Sequence, residues 1–360
     1  MQANKLNSKL KFFSLIWLAA LLLLAGCTQP TPWRQESYVF GTRVDVTIVG
    51  ASAEQASAAG NRVLREFDRL HRSYHAWQPS ELSTLNAAIA GGRTLTVSAE
   101  LAALLGEAQA IAAVGEHLFD PGIGRLIGLW GFQSDEIQAR LPDAAALAQL
   151  VTQRPGIAAL KLNGQQVSSS NRAVALDFGG YLKGVALDRA AAALRADGIR
   201  HALINIGGNI MALGNREGRP GGAAWRVGIQ HPRPHTVGGA PLATLELRDG
   251  EAIGTSGDYH RYFELDGRRY CHLLDPRTGQ PAEGTQSVTI LLPPGTEAGV
   301  RSDALSKPIF ISAGDWQQMA KKLNVAAVLK VDAGGTVMAT KVMAARLKID
   351  QADLKLQVVD

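Results

Sequence analysis

Cysteine is nearly absent: the 360-residue sequence holds two, Cys27 and Cys271. Two thiols make neither a disulfide framework nor a thiolate zinc site. The eight histidines show neither HExxH nor His-x-His spacing, which argues against a histidine metal site. Basic residues are scattered, so a net charge of +5 forms no nucleic-acid-binding stripe. Beyond the N-terminal leader the sequence lacks G-x-S-x-G and S-x-x-K, so a serine acyl-hydrolase is excluded. No period repeats and no long linker divides the chain.

What is present begins with 46% hydrophobic residues, enough for one large domain or two small ones. Lys5, Lys9 and Lys11 precede an apolar run from Phe12 to Ala25, short for a membrane span. The run ends in Leu24-Ala25-Gly26-Cys27, which resembles the bacterial lipobox. The reading is a lipoprotein signal over 1–26, lipidation at Cys27 and a proline-containing tether over 27–37. The expected location is the bacterial cell envelope, on a membrane-anchored protein facing the periplasm. Cys271 is then left as a packed free thiol.

The densest polar chemistry runs from Gly254 to Ala282. Tyr259–Leu265 and Arg268–Leu274 read as strands joined by Asp266-Gly267, a type I′ hairpin signal. The hairpin brings Thr255-Ser256-Gly257-Asp258 to the same open end as His272 and Asp275. A Gly/Ser/Thr loop facing a histidine and a carboxylate suits phosphate handling; a plain edge hairpin is the alternative.

Elsewhere, Val44, Val46 and Ile48 alternate with polar residues as in a half-buried strand. Ser52 and Ser98 read as helix N-caps, with Gly115 ending the second helix. Tyr74 at a helix end could stack on a planar ring, although aromatics there are more often core. Val174–Phe178 reads as a strand delivering Gly179-Gly180 to a helix start. That glycine pair suits either a close-bound anion, with Lys183 adding charge, or a crowded turn. His201–Leu213 is a strand broken at Gly207-Gly208, Glu297–Ser306 is helical, and Val325–Met338 is a late hairpin. Hairpins interspersed with helices indicate an α+β fold: one large domain, largely antiparallel sheets and flanking helices.

Several stretches occur together in order: the lipobox, Ser73 to Asn86, FDPGIGRLIGLWGF, ALDFGGYLKGVALD, HALINIGGNI, WRVGIQHP, GTSGDYHRYFELDGRRYCHLLDPRTGQP and Ser302-Asp303-Ala304-Leu305-Ser306. Over roughly Phe40 to Ile311 this order closely resembles the ApbE family of FAD:protein FMN transferases. The resemblance implies a transferase domain over 38–345 and a C-terminal tail over 346–360. The implied reaction moves FMN from FAD onto a Thr or Ser hydroxyl of a target flavoprotein, with Mg²⁺ dependence and release of AMP. Targets would be subunits of membrane redox complexes.

By position, Tyr74 would stack on the flavin, with Phe40 at its edge. Leu118, Phe119 and Asp120 would line the FAD site, and Asp177 and Lys183 would contact the nucleotide. Cys271 falls among the implied cofactor contacts. His272 would sit beside the pyrophosphate as general base or as a structural hydrogen-bonding group, with Asp275 orienting it. Asp303 and the Gly180 carbonyl would ligate Mg²⁺. Phe40 replaces a usual Met, and Leu182 replaces a usual small residue. Most consequentially, Lys307 replaces the usual metal-binding Thr. An FAD pyrophosphatase and a non-catalytic FAD-binding lipoprotein are the competing readings.

Overall fold

Val44, Val46 and Ile48 are all buried on one face of a single strand, which sets the architecture. In the computed structural model, which describes residues 31–134, 136–233, 241–349 and 354–360, β1 (Trp33–Val39) pairs antiparallel with β2 (Thr42–Ile48). Phe40 and Gly41 turn between them, both at positive φ, 57° and 68°. The sheet continues through β3 (Ala202–Ile206), β4 (Asn209–Leu213), β5 (Ala252–Gly257), β6 (Thr285–Leu292), β7 (Ala327–Asp332), β8 (Val337–Thr340) and β9 (Leu356–Val359). Spatial order follows chain order, and only the last pair, β8 with β9, is parallel. The fold is α+β and largely antiparallel, as its hairpin signals indicate.

Insertions between successive strands cover both faces. Between β2 and β3 lie α1 (Ala53–Ser73), α2 (Glu81–Ala90), α3 (Ala99–Val114) and α4 (Leu182–Ala196). Ser52 and Ser98 cap α1 and α3 by accepting from the amides of Gln55 and Leu101 at 3.2 and 3.1 Å. The apolar stripe of α1, including Val63, Phe67 and Leu70, joins Val44, Val46, Ile204 and Met211 in one core. On the other face Ile210, Ala212 and Ile253 pack with a three-stranded sheet formed by Trp225–Ile229, Ala243–Leu247 and Leu347–Ile349. All eight residues of β6 are buried as a result.

Helix α5 (Ala298–Ile311) lies across β5 and β6 and against α4. It approaches so closely that a Cβ on Gly254 would stand 2.0 Å from the Ser302 carbonyl oxygen. The helix runs past the expected end at Ser306 and through Pro308. An interior proline costs about 3 kcal/mol. Burying Leu305, Ile309, Phe310 and Ile311 returns roughly 1.5–3 kcal/mol each, so packing outweighs that cost. Twelve of the fourteen residues are buried; Arg301 and Lys307 are the exceptions. A lysine head on so enclosed a helix needs an internal partner.

Other expectations are corrected. Val174–Phe178 is not a strand: Ala175 makes an isolated bridge to Ile123. The side chain of Asn86 replaces the ladder at Leu176, accepting from its amide at 2.6 Å and donating to its carbonyl at 2.9 Å. Residues 33–37 of the expected tether are strand instead, because β1 starts at Trp33. Residues after 345 are no loose tail, since Leu347–Ile349 and β9 both join sheets. The hairpin around Asp266-Gly267 spans Tyr262–Leu265 and Arg268–Cys271, shorter than expected. Cys27 and the 1–26 signal lie outside the described residues, among which no helix is long and apolar enough to cross a membrane.

Candidate functional site

Segments far apart in sequence meet around a cavity of about 330 Å³, within the ordinary range of small-molecule sites. The C-terminal end of β5 brings Thr255 and Ser256, and α5 brings Asp303 and Lys307. Lys183 comes from the first turn of α4, and His272 follows the short hairpin. A second groove, of about 560 Å³, runs between α3 and α5, past Leu104, Val114 and Arg301. It holds none of the predicted site residues.

Asp303 is the electrostatic centre of the cavity. Its side chain is 1% exposed, and both carboxylate oxygens are engaged. Oδ1 receives Lys307 Nζ at 2.8 Å and Asn209 Nδ2 at 3.2 Å, with Lys183 Nζ at 3.9 Å. Oδ2 receives the Gly184 amide at 2.9 Å. Its carbonyl accepts from Lys307 Nζ at 2.7 Å and from Ser306 Oγ at 2.8 Å. Ser306 Oγ in turn bonds Ser256 Oγ at 2.8 Å, tying α5 to β5. Burial pushes the Asp303 carboxyl up, but Lys183 and Lys307 together outweigh it and hold the group ionised. Burial draws the Lys307 ammonium down from its ordinary value, with Asp303 opposing and Lys183 reinforcing.

His272 and the β5 loop share this cavity, as the hairpin geometry predicts. His272 Nδ1 stands 3.1 Å from the Arg261 carbonyl oxygen. A carbonyl only accepts, so Nδ1 carries the proton and Nε2 keeps the lone pair. Burial lowers the imidazole pKa to about 3, with Lys183 and Arg261 adding to the effect against the Arg261 carbonyl bond. Arg261 anchors this end by donating to the carbonyls of Phe132 and Ser134 at 2.9 and 2.7 Å. Asp275 does not orient His272; it pairs with Arg277 at 2.7 Å and accepts from the Arg277 amide within its own turn.

Two further carboxylates shape the wall. Asp120 is 8% exposed and accepts from the amides of Gly122 and Ile157, both at 2.7 Å. Burial raises its pKa against those bonds. Asp177 accepts from the Gly179 amide at 2.8 Å and from Gln133 Nε2 at 3.3 Å. Both act on backbone at the turns that border the cavity.

Residues 40–329 match the model of the ApbE family. The chain belongs to the ApbE family. It is 41% identical over 337 residues to an FAD:protein FMN transferase of Rhodobacter capsulatus, covering 92% of this chain and 62% of that protein. A Klebsiella pneumoniae (strain 342) protein of the same name is 32% identical over 302 residues, covering 80% of this chain and 84% of the relative. The ApbE protein of Thermotoga maritima superposes with a TM-score of 0.78 at 28% identity, covering 88% of this chain and 99% of that one. The Pseudomonas stutzeri flavinyl transferase ApbE gives 0.74 at 26% identity, covering 89% and 98%.

Of the residues that the ApbE pattern implies, Phe40, Leu118, Phe119, Asp120 and Asp177 line the cavity. So do Gly180, Lys183, His272, Asp303 and Lys307. Tyr74 does not: it is 2% exposed and 6.2 Å from the Phe178 ring in the core. The aromatic nearest in sequence that does line the cavity is Trp77, 42% exposed. Cys271 is also absent from the wall; it is a buried free thiol with its pKa pushed up by burial to about 12. Asn209 and Arg261 line the cavity too, and sequence reasoning passed over both. Asn209 sits in HALINIGGNI and Arg261 in GDYHRYF, so the motifs contain them but do not single them out.

The Mg²⁺ expected from the resemblance is a poor match to these donors. Among the described residues no three His, Cys, Asp or Glu side chains gather to hold a metal. The one carboxylate assigned to it already accepts four hydrogen bonds or ion contacts. The position of the expected hydroxyl ligand carries a cation, Lys307. Hard divalent cations take oxygen ligands, and a protonated amine offers none.

Proposed function

We propose that this chain is an FAD:protein FMN transferase acting at the Asp303–Lys183–Lys307 cavity. One observation carries the reading: a buried carboxylate gathers two ammonium groups in the same cavity as a neutral histidine. Cations placed where phosphate charge develops, with a proton acceptor at hand, are what phosphoryl transfer requires. The activity comes by name from the relatives, of which the Rhodobacter protein extends well beyond the aligned region.

The reaction balances as a single displacement. The Thr or Ser oxygen of the target forms a bond to the FMN phosphorus as the phosphorus–oxygen bond to AMP breaks. AMP departs with the bonding electrons, and the hydroxyl proton passes to His272 Nε2. Lys183 and Lys307 hold the pyrophosphate oxygens, while Phe40 and Trp77 offer ring surface to the isoalloxazine. Replacing His272 by Ala should lower turnover by about 10²–10⁴ and leave FAD affinity nearly unchanged. A proportionate loss of affinity would reduce His272 to a binding group.

The acceptors are flavoprotein subunits of membrane redox complexes, and the chain reaches them from a lipid anchor at Cys27 on the periplasmic side. Supporting this are Leu24-Ala25-Gly26-Cys27 and the preceding lysines. Membrane partitioning of a Cys27→Ser protein at mature length would overturn the anchor.

A further inference from the structure

Lys307 occupies the space between Gly180 and Asp303. A Cβ added to Gly180 would stand 2.7 Å from Lys307 Cε, so the lysine stem rests directly on the Gly180 backbone. From there Nζ reaches both the carbonyl and Oδ1 of Asp303. Lys183 approaches the same carboxylate from α4, where its Nζ also donates 2.8 Å to the Gly179 carbonyl. Both ammonium groups are largely enclosed, with side chains 13% and 21% exposed. Two cations on one carboxylate leave a surplus positive charge facing the cavity. Asp120 and Asp177 also line the cavity, but Asp120 is held by the amides of Gly122 and Ile157 and Asp177 by the Gly179 amide and Gln133 Nε2, and among the described residues neither is paired with a lysine.

We propose that the Lys183–Lys307 pair, held by Asp303, is a built-in counter-charge for the pyrophosphate of FAD, so that this chain binds FAD without a divalent cation. The inference rests on the FAD reading above and adds to it. A metal ion neutralises phosphate oxygens and holds them in place; two positioned ammonium groups supply the same charge as donors fixed by the fold. The carboxylate, with both oxygens already engaged, serves to place the lysines.

The test is calorimetric titration of the chelator-treated full chain with FAD, with and without added Mg²⁺, and with Mg²⁺ alone. Wild type should bind FAD with a Kd that Mg²⁺ changes less than about two-fold, and should show no Mg²⁺ binding of its own. Lys307→Thr should weaken FAD binding roughly 10–100-fold in chelator, the loss of one charge-assisted contact. Lys307→Arg, which keeps the charge, should retain most of the affinity and shows that the position tolerates substitution. The proposal is overturned if Mg²⁺ tightens wild-type binding ten-fold or more, or if Lys307→Thr binds in chelator as well as wild type. If FAD fails to bind wild type in every condition, the FAD reading itself falls, and this inference with it.

Discussion

The amide of Gly184, in the first turn of α4, donates 2.9 Å to Oδ2 of Asp303 on α5. The anion that this helix start receives is therefore internal, and the cavity presents lysine side chains instead. Asp303→Asn keeps the shape but leaves two cations without their carboxylate. Breaking a buried ion pair from one side costs about 3–5 kcal/mol. Urea unfolding at neutral pH should show a loss of that size, and a loss below about 1 kcal/mol would mean the cluster contributes nothing to stability.

Tyr74 is buried in the core and is not part of the cavity wall. Its hydroxyl lies beside Glu100, which pairs with Arg69 at 2.6 Å and with Arg189. The Arg69 bond, against burial and with help from Arg189 and Tyr74, lowers the Glu100 pKa to about 2. A lowered carboxylate pKa gives stability that is full above the unfolded value, near 4.5, and is lost as pH falls towards 2. Glu100→Gln should therefore lie closer to wild type in urea midpoint at pH 3 than at pH 6. Tyr74→Phe should cost about 1 kcal/mol of stability and leave FAD affinity unchanged. Weakened FAD binding in Tyr74→Phe would return this residue to the site.

The pH profile distinguishes a buried from an ordinary histidine. With burial, Lys183 and Arg261 holding its pKa near 3, His272 stays neutral as pH falls from 7 to 5. Transfer kcat/KM should be flat over that range in its dependence on this group. A histidine titrating at its usual value would lose roughly 25-fold over the same interval. Such a drop, abolished in His272→Ala, would contradict the buried state.

Much of this molecule was legible in its sequence because local rules and tertiary packing agree. Alternation at Val44, Val46 and Ile48, the caps at Ser52 and Ser98, and the Asp266-Gly267 turn all stand where their chemistry puts them. The convergence of Thr255, Ser256 and His272 followed from that turn alone. Where reading failed, a longer-range contact had replaced a local signal. Asn86 supplies the hydrogen bonds that a strand at Leu176 would need, from 90 residues away. Apolar burial carries α5 through Pro308. For Tyr74 the residue itself pointed to the core, and positional resemblance pointed away from it. Asp275 stands near His272 in sequence but spends its charge on Arg277.

The most direct test of the account is mass spectrometry of an acceptor domain bearing a Thr or Ser target after incubation with the chain and FAD. The account predicts a covalent adduct of one FMN on that hydroxyl, with AMP released in equal amount. Free FMN with AMP and an unmodified acceptor would make the protein a hydrolase. Unchanged FAD would make it a binder, and either result contradicts the transferase reading.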